Sequence, residues 1–157
     1  MRYLKTFESV DLENDLRDFC ETYLAYLLDG DFELSVIWQG SIYNVVTPDK
    51  DYHIIKICKL DYSDSFTRTT GFNWLQVKDY FIPFLHMLNN KYSILQGKEG
   101  RDVGSYHTPC ISLYNGRQSY CVSVENVLSG DALPGRYDNI DLLEITIRVE
   151  MKNKLVE

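Results

Sequence analysis

The chain of 157 residues has no apolar run approaching the ~20 residues of a membrane span. Its start, MRYLKTFESV, lacks the long apolar stretch of a secretory signal. Both absences lead us to expect a protein that works inside a cell and away from the bilayer. Cysteine is sparse, with Cys20, Cys58, Cys110 and Cys121 showing no CxxC spacing, which argues for a reduced compartment. Histidine is sparser, with only His53, His86 and His107. His107 and Cys110 fall on opposite faces of a strand, and His53 and Cys58 also differ in parity, so no set of three or four metal ligands converges. HExxH, GxSxG, paired HxT/S, Walker, dinucleotide-binding and kinase patterns are all missing. No catalytic residue, metal site or cofactor is legible, and we expect a protein that is not an enzyme. Cations are also short, 16 Lys and Arg against 23 Asp and Glu for a net charge of -7, which excludes a nucleic-acid binder working through counterion release.

What is present is an ordinary globular composition, 45% hydrophobic and 13% aromatic, in a length suited to one domain over residues 1–157. The acids are not spread evenly. Residues 8–33 hold nine of them and one base, Arg17, while the rest of the chain is close to neutral. In that segment Leu12, Leu16, Phe19, Cys20, Tyr23, Leu24, Leu27 and Leu28 recur at helical spacing, so a helix over 11–28 directs one face to the core. Asp11, Asp15 and Asp18 share the opposite face at i, i+4 and i+7, with Asp11 as N-cap and Gly30 as stop. Such a face either simply keeps the protein soluble or docks a partner with a basic surface.

The segment FELSVIW alternates as a strand, and SIYNVV and YHIIKICKL suggest two more in antiparallel series. YSDSFTRTTG reads as a connecting loop. A second helix is expected over 73–90, with Trp74, Val77, Phe81, Phe84, Leu85 and Leu88 as its core stripe. Gln76, Asp79, Pro83, His86 and Asn90 are left on the wet face. YSIL follows as a short strand. CISLY-NG-RQSYCV predicts a hairpin with a two-residue type I′ turn, in which Tyr114 faces Arg117, Ile111 faces Tyr120 and Cys110 faces Cys121, with both cysteines reduced. LLEITIRVEM closes the sheet, with Leu143, Ile145, Ile147, Val149 and Met151 alternating against polar residues. The expected fold is therefore α+β, two helices packed on one face of a mainly antiparallel sheet in the order helix-βββ-helix-ββββ.

One loop composition offers different chemistry. Gly97, Gly100 and Gly104 lie beside Lys98, Arg101 and Ser105, from which an anion-cradling loop can be built, although neither a Walker spacing nor a following helix is present. The alternative to a protein-binding role is thus a small nucleotide- or phosphate-binding protein, or an enzyme, using the loop Gly97–Ser105.

The opening MRYLKTFES, through Met1, Arg2, Leu4, Lys5, Phe7 and Glu8, resembles the MK-x-φ-K-x-FE start (φ apolar) of small accessory proteins of tailed bacteriophages, with Arg2 in place of the usual Lys. FNWLQVKDYFIPFLHMLNNKYSI is similar to segments of such proteins. Together the two cover about a fifth of the chain. The resemblance implies a phage origin and a setting in the host cytoplasm or the virion, and it implies no activity. The expected function is a protein-binding accessory factor that blocks a host defence component or takes part in virion assembly.

Overall fold

A computed structural model describes residues 2–39, 52–62, 68–95, 109–129 and 141–151. In chain order these form α1 (Arg2–Tyr23), α2 (Ala25–Leu28), β1 (Phe32–Gln39), β2 (Tyr52–Asp61), β3 (Arg68–Thr70), β4 (Phe72–Asn73), α3 (Trp74–Lys91), β5 (Tyr92–Ile94), β6 (Cys110–Tyr114), β7 (Ser119–Ser123), α4 (Val124–Leu128), β8 (Asp141–Leu142) and β9 (Glu144–Met151). The class is α+β with an antiparallel sheet, as the sequence patterns predict.

The sheet runs β1-β2-β9-β6-β7, every pairing antiparallel. Its inner face is built in rows that cross the strands. One row is Val36, Ile55, Ile147, Ile111 and Val122, and the next is Leu34, Ile57, Ile145, Leu113 and Tyr120. A third joins Trp38, His53, Val149 and Ile94. Period-2 alternation in each strand is what lines these residues up, and β-branched residues in register fill a pleated surface closely. The other face carries Glu33, Ser35, Lys56, Cys58, Glu144, Thr146 and Arg148. Leu16, Cys20, Leu24 and Leu27 from the first two helices, the α3 stripe, and Val124 and Val127 of α4 belong to the same core cluster as the inner rows. Helices therefore form one layer against one side of the sheet.

β5 and β6 lie end to end along one edge of β9, opposite 149–151 and 144–147 respectively. Backbone bonds from Leu95 N–H to the Arg148 carbonyl (2.8 Å) and from Cys110 N–H to the Leu95 carbonyl (3.3 Å) join the two pieces. The chain thus leaves this strand line at Leu95 and re-enters it at Cys110. The glycine-bearing segment with Lys98, Gly100, Arg101 and Ser105 falls between those points and lies outside the described residues, as does the expected strand SIYNVV.

α3 starts and stops where its sequence says it should. Asn73 accepts from Leu75 N–H through Oδ1 (2.9 Å), and Gln76 accepts from Asn73 N–H through Oε1 (2.9 Å). This reciprocal arrangement satisfies two otherwise orphaned donors. All six expected core residues are buried, and Gln76, Asp79, Pro83, His86 and Asn90 are exposed. Pro83 leaves the Asp79 carbonyl without its helical donor, and its place on the wet face lets water supply one.

Four expectations are corrected. The first helix begins at Arg2, so Asp11 sits inside α1 and is not its N-cap; residues 2–28 contain no Gly or Pro to interrupt the helix at Asp11. The chain leaves the helical segment through Asp31, whose φ is 71°, so the left-handed residue is an Asp and not Gly30. The presumed loop 62–71 contains β3, which pairs with the end of β2. Val124 starts a short helix, not a continuing strand, with Asn126 N–H donating to Ser123 Oγ at 3.2 Å as its cap.

The hairpin is the most instructive correction. Its pairs are Tyr114–Ser119, Leu113–Tyr120, Ser112–Cys121, Ile111–Val122 and Cys110–Ser123, two residues out from the expected register. A type I′ turn needs positive φ at both central residues, and here only Gly116 has it, at 100°. Asn115 instead organises a longer turn, its Oδ1 accepting from Arg117 N–H and Gln118 N–H at 2.8 Å each, while its own N–H donates to the Gln118 carbonyl at 3.1 Å. A slip of two leaves every side chain on its expected face, so the buried set is unchanged.

Ile147 stands at the centre of the first row and is fully buried. Ile147→Ala is expected to cost about 2–5 kcal/mol in chemical denaturation. Gly116→Ala should cost roughly 1–2 kcal/mol, from its φ of 100° and a new Cβ only 3.1 Å from Leu143 Cδ1.

Candidate functional site

The helical layer has two sides, and the one facing away from the sheet carries the features that the core does not account for. Phe19 of α1 meets Phe84 (6.1 Å between centroids) and Tyr92 (5.7 Å), whereas Tyr26 of α2 meets Tyr80 (5.4 Å). The first helical segment therefore runs antiparallel to α3. At one end of their seam Asp15, Asp18, Phe19, Thr22, Tyr23 and Lys91 line an open groove of ≈ 390 Å³. Thr22 Oγ1 donates to the Asp18 carbonyl at 2.8 Å, a local bond that leaves the carboxylate untouched.

Asp15 and Asp18 are exposed, and neither forms an ion pair with another described side chain. The backbone puts Asp11 one turn before Asp15 in α1; its side chain lies outside the described ones. Glu13, Glu21, Asp29 and Asp31 add further carboxylates along the same segment. Among the described residues, Arg17 and Lys91 bring positive charge to this segment, and both keep it. Arg17 Nη2 donates to the Val36 carbonyl at 3.1 Å, tying α1 to β1. Lys91 Nζ stands 5.4 Å from the Phe19 ring centroid and 5.7 Å from that of Tyr92.

Beyond the groove the same seam exposes aromatics. Tyr26 is 75% exposed and Tyr80 42%, yet their rings stack within 15° of parallel. Tyr23 and Met87 are also exposed. Helical spacing puts Tyr80, Pro83 and Met87 in one stripe beside the buried Phe84 and Leu88. The sequence carried one signal for this patch: Tyr26 falls outside the apolar stripe of Tyr23, Leu24, Leu27 and Leu28, so it has no core position to fill.

Among the described residues, the histidines and cysteines do not assemble into a site. Among the described residues no three His, Cys, Asp or Glu come close enough to hold a metal ion. His53 is buried in the third core row and His86 is exposed on α3, while His107 lies outside the described residues. None of the four cysteines forms a disulfide; Cys110 faces Ser123 and Cys121 faces Ser112, so Cys110 and Cys121 do not face each other as expected. Burial pushes the Cys20 thiol up to about 12, with Glu21 adding to the shift. Burial also raises Cys58, aided by Glu33 and Glu144, which face it from β1 and β9, and opposed by Lys56. These are resting thiols, not activated nucleophiles.

Compared with protein-family models, curated proteins and solved structures, the chain matches none. Its functional reading therefore rests on its own surface.

Cys20 provides a test of the core. The folded chain holds the Cys20 proton up to about pH 12, whereas an unfolded chain releases it near 9.0. Stability from this group is whole below pH 9.0 and lost as pH rises towards 12, at a limiting slope of about 1.4 kcal/mol per pH unit. Cys20→Ala should be less stable at pH 8 and should decline less steeply than the native chain between pH 9 and 11 in urea titrations. In native alkylation at pH 8, Cys20 should stay unlabelled while all four cysteines label in denaturant.

Proposed function

We propose that the outer face of α1, α2 and α3 docks onto a basic surface of another protein, and that the chain acts as a non-enzymatic binding factor. The observation that carries this reading is the balance of charge: Asp15 and Asp18 point outward without an ion-pair partner among the described residues, and with Glu13, Glu21, Asp29 and Asp31 they outnumber Arg17 and Lys91 beside them. Carboxylates already neutralised within the chain would have little left to offer a partner. Exposed Tyr and Met beside them supply the apolar centre that a charged rim alone lacks.

The resemblance of the opening residues to phage accessory proteins directs the reading to two partners, a host defence component or a virion component. A virion component co-purifies with particles, and a defence blocker is found free in the infected cell. Pull-down from host lysate and from purified particles tests both. Recovery of no protein partner from either source, with a thermal shift from one member of a nucleotide panel, would replace this reading with ligand binding at the Gly97–Ser105 loop.

Reversing Asp11, Asp15 and Asp18 to Lys together should leave the thermal midpoint close to that of the native chain, because substitutions at exposed positions such as Asp15 and Asp18 cost about 0.5 kcal/mol or less each. Association with the recovered partner should slow and its salt dependence should flatten, read by stopped-flow mixing at several ionic strengths. A large drop in the midpoint would instead show that these carboxylates serve the fold.

A further inference from the structure

We infer that the Tyr26–Tyr80 stack is a seat for arginine side chains of the partner, so that the docked element is an arginine-bearing basic segment and not merely a positive surface. This rests on the reading above and specifies its partner. The Tyr26 and Tyr80 rings stack 5.4 Å apart and 15° from parallel, and Tyr26, three-quarters exposed, offers solvent the ring face that Tyr80 does not cover. A stack built for the core would be covered; this one lies outside the cluster formed by the helices and the inner sheet face.

Three kinds of flat or cationic group bind such a surface: a nucleobase, an ammonium and a guanidinium. The acidic surroundings disfavour the first, because a nucleic-acid backbone would be brought against Asp15, Asp18, Glu21 and Asp29. Between the cations, a planar guanidinium stacks on a ring face and can still give its N–H groups to a carboxylate, whereas an ammonium is a compact, strongly hydrated charge. Asp79 precedes Tyr80 and Asp29 follows the turn carrying Tyr26, both exposed, so the stack is flanked in sequence by acceptors. Exposed Tyr23 and Met87 provide apolar surface for the aliphatic stem. The seam already uses this kind of contact internally, where Lys91 lies over Phe19 and Tyr92. Eight residues separate Asp18 from Tyr26, about 12 Å at helical rise, so one short segment with two or more arginines spans the acidic groove and the stack.

The experiment compares two synthetic peptides, a twelve-residue Arg/Ala sequence and its Lys/Ala counterpart, titrated calorimetrically into the full chain at low salt. The Arg peptide should bind more tightly by about two- to fivefold for each stacked arginine. Tyr26→Leu with Tyr80→Leu keeps apolar area but removes the π faces, and should abolish that preference while leaving Lys-peptide affinity in place. Tyr26→Phe with Tyr80→Phe keeps the rings and should retain it. Asp15→Asn with Asp18→Asn should weaken both peptides alike. Both tyrosines being exposed, thermal midpoints close to the native value are expected for all variants. Equal binding of the two peptides, or an Arg preference that survives the leucine variant, would overturn the arginine seat and leave the acidic docking face standing. Failure of both peptides to bind at low salt would overturn the two together, and tighter binding of a single-stranded oligonucleotide would assign the stack to bases.

Discussion

β9 is the strand on which the architecture depends. On one edge its residues 144–149 pair with β2, and on the other edge its residues pair with β6 and β5. β2 and β6 never touch as neighbours, so the sheet becomes continuous only when β9 inserts between the early pair β1–β2 and the late hairpin β6–β7. Its alternation makes that insertion unambiguous. Ile145, Ile147 and Val149 are buried while Glu144, Thr146 and Arg148 lie on the other face, so a slip of one residue would drive two charges into the core. The arrangement also joins segments far apart in sequence, which makes the pairing non-local and favours slower folding.

What the sequence made legible follows from how local each determinant is. α3 could be read almost residue by residue, because a capping Asn73, a single apolar stripe and an unbroken period act within one segment. The faces of β6 and β7 were legible for the same reason, and their pairing was not. Register depends on whether Asn115 takes a positive φ, and its side chain's bonds to Arg117 and Gln118 N–H settle that in favour of the longer turn. The start of α1 was obscured by a plausible cap at Asp11, which loses to continued helix when nothing interrupts the backbone. β3 is three residues of polar sequence held by its pairing with Lys59, Leu60 and Asp61, and no local pattern reveals a strand that exists through its neighbour.

The candidate site divides in the same way. Outward carboxylates at Asp15 and Asp18 follow from helical spacing alone, so charge placement was readable from the sequence. The Tyr26–Tyr80 stack was not, because it joins two helices whose approach is fixed by Phe19 against Phe84 and Tyr92. A residue that fails to fit its own helix's stripe signals an exposed side chain, but what it meets is decided by tertiary packing. Engagement of Arg17 with the Val36 carbonyl is likewise invisible locally, and it ties the one base of residues 8–33 to β1 while leaving its charge in place.

A single helical layer on a single sheet face has a consequence for how this surface can serve binding. Every inner row of the sheet packs beneath the helices, so the stabilising apolar burial lies on one side of the layer and the carboxylates and stacked tyrosines on the other. Residues without shared partners contribute nearly independently to stability, and the outer face shares few with the core. Phe19 is the exception: half-buried, it packs on Phe84 and Tyr92 from below, carries Lys91 and touches Tyr23 at 4.7 Å from above. Phe19 thereby ties the outer face to the core, as Arg17 does through the Val36 carbonyl. Charge and ring chemistry at Asp15, Asp18, Tyr26 and Tyr80 can be matched to a partner without repacking Ile55, Ile147 or Phe81, whereas a change at Phe19 would alter fold and surface together.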